Sequence, residues 1–71
     1  MKKDNKAANW DADNIKALRA HLKLTQAEMA DQLNMRQQTV SEWETGEYQP
    51  RGASEKLLSM IADRSEFKYK A

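Results

Sequence analysis

Apolar residues recur at helical spacing in four stretches of this chain. In the first, Ile15, Leu18 and Leu22 follow the i, i+3, i+7 order that lays one apolar stripe along a helix, and the pattern predicts a helix from Ala12 to His21. Asp11 stands at the N-cap position, and Trp10 and Ile15 flank it as a hydrophobic staple. The second stretch opens on Thr25-Gln26-Ala27-Glu28, a capping box in which the threonine hydroxyl and the glutamate each take a backbone N–H. Leu24 and Met29 form its staple, and Ala27, Ala30 and Leu33 are expected to face inward. Asn34 tolerates the left-handed conformation that ends a helix, which turns Met35 into the core. The third helix begins at Arg36 or Gln37 and stops at Gly46. After a loop marked by Pro50 and Gly52, the fourth runs from about Ala53 to Arg64, with Leu57, Leu58 and Ile61 inward and Met60 at the edge. The expected fold is all-α, a compact four- or five-helix bundle.

The third helix has two unlike faces. At about 100° per residue, Gln37, Gln38, Ser41, Glu42 and Thr45 share one arc of roughly 140°, while Val40 and Trp43 stand opposite. One face must be buried, and the other presents amides, hydroxyls and a carboxylate, the groups that read base edges in a DNA major groove. Only about two residues separate Leu33 from this helix, too few for easy antiparallel packing. A steep crossing is therefore expected, so that helices 2 and 3 form a helix-turn-helix.

Size and composition narrow the possibilities. The 71 residues make one domain near the lower limit for a core that folds unaided, and a mean hydropathy of -0.99 says that core is small. There is no cysteine and a single histidine, so neither a disulfide framework nor a zinc site is expected, and no cofactor. No apolar run is long enough for a membrane span, and a soluble cytoplasmic protein at the nucleoid is expected. Along the chain, residues 1–9 read as a flexible basic arm, 10–64 as the helical domain and 65–71 as a C-terminal tail. In that tail Phe67 and Tyr69 alternate with Lys68 and Lys70; a frayed end is expected, with an edge strand or an apolar patch for a partner as alternatives.

Charge runs against the polar face of the third helix. Residues 1–6 carry +2 and residues 64–71 carry +2, leaving -3 on the residues between. Phosphate neutralisation supplies most non-specific affinity for DNA. An acidic body with basic ends therefore predicts weak binding by one subunit, with the ends, a second subunit or a few well-placed donors supplying the rest.

Taken together, Ile-x-x-Leu-Arg at 15–19, Leu-Thr-Gln-x-x-x-Ala at 24–30, Gln-Gln-Thr-Val-Ser-x-Trp-Glu at 37–44, Gly46 and Pro50 resemble the Cro and phage-repressor class of helix-turn-helix regulators, often called the xenobiotic-response-element class. The resemblance covers about residues 13–62. It implies a lambda-repressor-like bundle that binds double-stranded DNA sequence-specifically, usually as a homodimer on a pseudo-palindromic operator. It assigns Gln26 to a phosphate and Gln37 and Gln38 to base edges, glutamine being suited to adenine. Ser41 and Glu42 lie one turn further on as base contacts; Glu42 either accepts from cytosine or repels wrong sites. Arg36, Thr45, Tyr48 and Arg51 are candidate phosphate contacts, and the resemblance pairs Arg19 with Glu44 behind the reading surface.

The chain departs from the class at two points. Arg36 occupies an N-cap position that often holds Ser or Thr, and Glu47-Tyr48-Gln49 replaces a loop that is often basic. The remaining candidates have plainer readings. Trp43 is expected in the core, His21 at a solvent-facing helix end, and Glu42, Glu44 and Glu47 lack the nucleophile or metal ligands an enzyme needs, so catalysis is not expected. A sequence-specific transcriptional regulator, in the first place a repressor, is the expected function. The alternative is an antitoxin or other protein-interaction module of a toxin-antitoxin pair, motivated by the acidic middle and the aromatic, basic tail.

Overall fold

The computed structural model describes residues 10–67; Lys2, Lys3 and Lys6 of the basic arm and Lys68, Tyr69 and Lys70 of the tail lie outside the described residues. Four helices follow in order, α1 (Ala12–Leu22), α2 (Gln26–Gln32), α3 (Gln37–Thr45) and α4 (Ala53–Arg64), with no strand among the described residues. The architecture is the all-α bundle that the apolar spacing predicts. α3 packs against both α1 and α2, and Leu58 and Ala62 of α4 belong to the same core.

The helix starts follow their caps. Asp11 accepts the Asn14 N–H at 2.9 Å, and Trp10 and Ile15 on either side of the cap are both buried. At α2 both arms of the capping box close: Thr25 Oγ accepts from Glu28 N at 3.1 Å, and Glu28 Oε1 accepts from Thr25 N at 2.8 Å. Arg36 at the start of α3 makes no side-chain cap bond. The arginine cannot accept a hydrogen bond, which is the cost of that substitution.

All four helices end on one device. A residue at positive φ follows the helix, and the next N–H reaches back five residues to a carbonyl. Lys23 (φ 59°) lets Leu24 N donate to Arg19 O at 3.2 Å, and Asn34 (φ 58°) lets Met35 N donate to Ala30 O at 2.9 Å. Gly46 (φ 84°) does this for Glu47 N and Glu42 O at 3.0 Å, and Glu66 (φ 59°) for Phe67 N and Ala62 O at 2.9 Å. Leu24, Met35 and Phe67, each just past its turn, pack against the core. Burying those side chains offsets the cost, about 1–2 kcal/mol, of a left-handed conformation at a residue with a Cβ.

Two expectations about the core need correction. Ala27 does not face inward; it is exposed, and Met29, 1% exposed, takes its place beside Ala30 and Leu33. A seven-residue helix has too few apolar positions for spacing alone to fix its buried side, and the larger side chain wins because it removes more apolar surface from water. Nor is Phe67 frayed. Its ring stacks on Trp10 with centroids 6.3 Å apart, and Trp10 Nε1 donates to Ser59 Oγ of α4 at 3.0 Å, tying the beginning of α1 to the end of the bundle. His21 is exposed, as expected for a helix end, but its ring lies 5.5 Å from Phe67 and its Nε2 is 2.7 Å from the Ser65 carbonyl.

Candidate nucleic-acid interface

α3 is held from behind and open in front. Val40 is fully buried and Trp43 is 4% exposed, so the rear of the helix sits in the core. On the other side Gln37, Gln38 and Thr45 are exposed, and Ser41 and Glu42 are half-buried. These five residues thus occupy one accessible face, as the helical wheel predicts.

Behind that face, Glu44 collects three hydrogen bonds. Arg19 Nε donates to its Oε2 at 2.6 Å, Arg19 Nη2 to its Oε1 at 3.0 Å, and Gln26 Nε2 to Oε1 at 3.1 Å. Arg19 Nη1 donates also to the Leu24 carbonyl at 3.1 Å, in the turn between α1 and α2. One carboxylate therefore joins the recognition helix to α1 and to the first residue of α2. The Glu44 side chain is 6% exposed and that of Arg19 is 26% exposed. Burial by itself pushes the Glu44 carboxyl up, but the hydrogen bonds from Arg19 and Gln26, with the positive charges of Arg19 and Lys16, hold it below the ordinary glutamate value. The hydrogen bond to Glu44 raises the Arg19 guanidinium against the opposing effect of burial.

The bond from Gln26 to Glu44 was not legible in the sequence, where Gln26 carries only a phosphate role. The amide has two hydrogens. One is spent on Glu44, which fixes the side chain and leaves the second hydrogen and the carbonyl for other partners. Thr45 is engaged more fully: its hydroxyl donates to the Glu42 carbonyl at 3.1 Å and accepts from Glu47 N at 3.4 Å. Its only hydrogen therefore closes the end of α3, and that bond must break before Thr45 donates to a phosphate. Arg36 is exposed at the start of α3. Tyr48, 59% exposed, and Arg51 line one open surface hollow with Gly46, Glu47 and Gln49, which brings two candidate phosphate donors together beside a carboxylate. Among the described residues no group of His, Cys, Asp or Glu is placed to hold a metal, and no helix is long and apolar enough to cross a membrane.

Two short helices joined by a tight left-handed turn, the second anchored by its apolar side and polar on its open side, define a helix-turn-helix. A family model described as helix-turn-helix matches residues 15–62, from the buried stripe of α1 into the last turn of α4. The chain belongs to that family, of the Cro/C1 type, and is a DNA-binding helix-turn-helix protein. No curated protein and no solved structure matches the chain.

Proposed function

We propose that the protein is a transcriptional repressor that places α3 in the major groove of operator DNA and acts there as a homodimer in the cytoplasm. The observation that carries this is the open face of α3, where Gln37 and Gln38 stand exposed on a helix whose other side is locked by Val40, Trp43 and the Glu44 network. Gln37, Gln38 and Ser41 read base edges, and Glu42 stands beside them on the same face. Gln26, Arg36, Tyr48 and Arg51 contact phosphates, and Thr45 closes the end of the reading helix. The -3 charge between residues 6 and 64 makes a single body a weak ligand for phosphate, which favours a second subunit on a two-fold site.

The antitoxin reading draws on an aromatic tail free to meet a protein partner. Phe67, one of its two aromatic residues, is already stacked on Trp10 and close to His21, which removes it from that role and leaves the acidic middle as the motive for this reading. Fluorescence polarisation with duplexes from the gene's own promoter region tests the proposal. Saturable, salt-sensitive binding that falls at least about fivefold in Gln38→Ala is expected, because a bidentate base contact is worth about 1–3 kcal/mol. Equal affinity for random duplex at every salt concentration would overturn it.

A further inference from the structure

On the open face of α3, Gln38 Nε2 donates to Glu42 Oε2 at 3.2 Å, one helical turn away. A carboxylate only accepts, so the nitrogen end of the amide, and not the oxygen, must face Glu42. The usual ambiguity between the two ends of a glutamine amide is removed by chemistry. Resting on the proposed entry of α3 into the major groove, we infer that Glu42 is a positioning residue that makes Gln38 a reader of adenine and excludes guanine.

An unconstrained glutamine offers two amide hydrogens and a carbonyl. It can turn its NH2 group to give both hydrogens to guanine, whose major-groove edge carries two acceptors, N7 and O6. It can also give one hydrogen to adenine N7 while its carbonyl accepts from adenine N6. Glu42 takes one of the two hydrogens. What remains is one donor and one acceptor, which is the complement of adenine. Guanine in the same place sets its O6 against the Gln38 carbonyl, two acceptors face to face with water excluded, and leaves both without a donor. Exposed to water the Gln38–Glu42 bond is weak. In the groove the competing water is gone and the bond decides which hydrogens Gln38 can offer.

Sequencing of duplexes selected from a randomised pool, with the wild-type chain, Glu42→Ala, Gln38→Ala and the double variant, tests this. Alanine is the strongest helix former, so Glu42→Ala leaves α3 intact, which circular dichroism verifies. The base pair read by residue 38 is the one whose preference disappears in Gln38→Ala. At that pair the wild type is expected to prefer adenine over guanine roughly tenfold or more, and Glu42→Ala to reduce the ratio to about threefold or less. In the Gln38→Ala background, Glu42→Ala is expected to change nothing at that pair. An unchanged adenine preference in Glu42→Ala overturns the inference. So does an equal effect of Glu42→Ala with and without Gln38, which would make Glu42 a direct base contact. If the wild type selects no sequence at all, it is the proposed DNA reading by α3 that fails.

Discussion

The guanidinium of Arg19 meets the carboxylate of Glu44 through two parallel hydrogen bonds, at 2.6 and 3.0 Å, across the seam between α1 and α3. The two sides of the pair are not equally buried. Removing Arg19 strands a carboxylate that is almost closed off from water, whereas removing Glu44 leaves a guanidinium that is partly exposed and still bonded to the Leu24 carbonyl. Arg19→Ala is therefore expected to cost about 2–3 kcal/mol in urea unfolding and Glu44→Ala about 1–1.5 kcal/mol, since an uncompensated buried charge is the costlier state. Equal costs would show that burial does not govern the pair.

The same carboxylate makes stability depend on pH. Glu44 is held below its ordinary value of 4.5 in the folded chain, so the unfolded chain takes up its proton first as acid is added. The stabilisation is fully present above that ordinary value and is lost as pH falls through the lower folded value. Glu44→Gln is expected to be less stable than the wild type near about pH 7, with the gap narrowing steadily toward about pH 3 in urea midpoints. A gap that stays constant over this range would show that the carboxylate charge does not stabilise the fold.

The inward face of α2 is testable at its two alanines. Ala27 is exposed, so Ala27→Lys is expected to change stability by no more than about 0.5 kcal/mol. Ala30 is 2% exposed, and Ala30→Leu is expected to cost about 1–3 kcal/mol through overpacking. The thermal midpoints of the two variants should separate clearly. If Ala27→Lys were the more damaging, the helix would have to be turned by about a sixth of a revolution.

Lys23 ends α1 at φ 59°, where glycine has no Cβ to strain. Lys23→Gly is expected to stabilise by about 1 kcal/mol, raising the thermal midpoint by about 4–8 °C. At Lys16, in the middle of the same helix, the same exchange should cost about 1 kcal/mol. One substitution with opposite signs at two exposed lysines isolates backbone conformation from charge.

The sequence carries the helices well because their starts are chemical. Asp11 and the Thr25–Glu28 box mark two of them, Gly46 marks an end, and the amphipathic stripe separates Val40 and Trp43 from Gln37 and Gln38. The Arg19–Glu44 pair was legible through the resemblance to the Cro and phage-repressor class, and the structure forms it. What spacing could not give are contacts whose partners are far apart in the chain. Asn14 is 2% exposed although it is polar, a burial that the apolar pattern of α1 does not mark. Lys23 and Glu66 carry no local sign of a left-handed turn; only the docking of Leu24 and Phe67 makes them adopt it. The face of α2 and the Gln26–Glu44 bond were decided by packing in the same way. On the reading surface, the types of side chain were visible, but which hydrogen of Gln38 is already committed was not.

The stack of Trp10 on Phe67 brings the two ends of the folded part to one corner of the molecule. Residue 10 and residue 67 are therefore neighbours in space although 57 positions separate them in the chain. The same closeness makes the domain a candidate for circular permutation. A short linker from 67 back to 10, with new ends opened at the exposed Gln49, past the bonds that close α3, would keep every helix while reversing which half of the chain is made first.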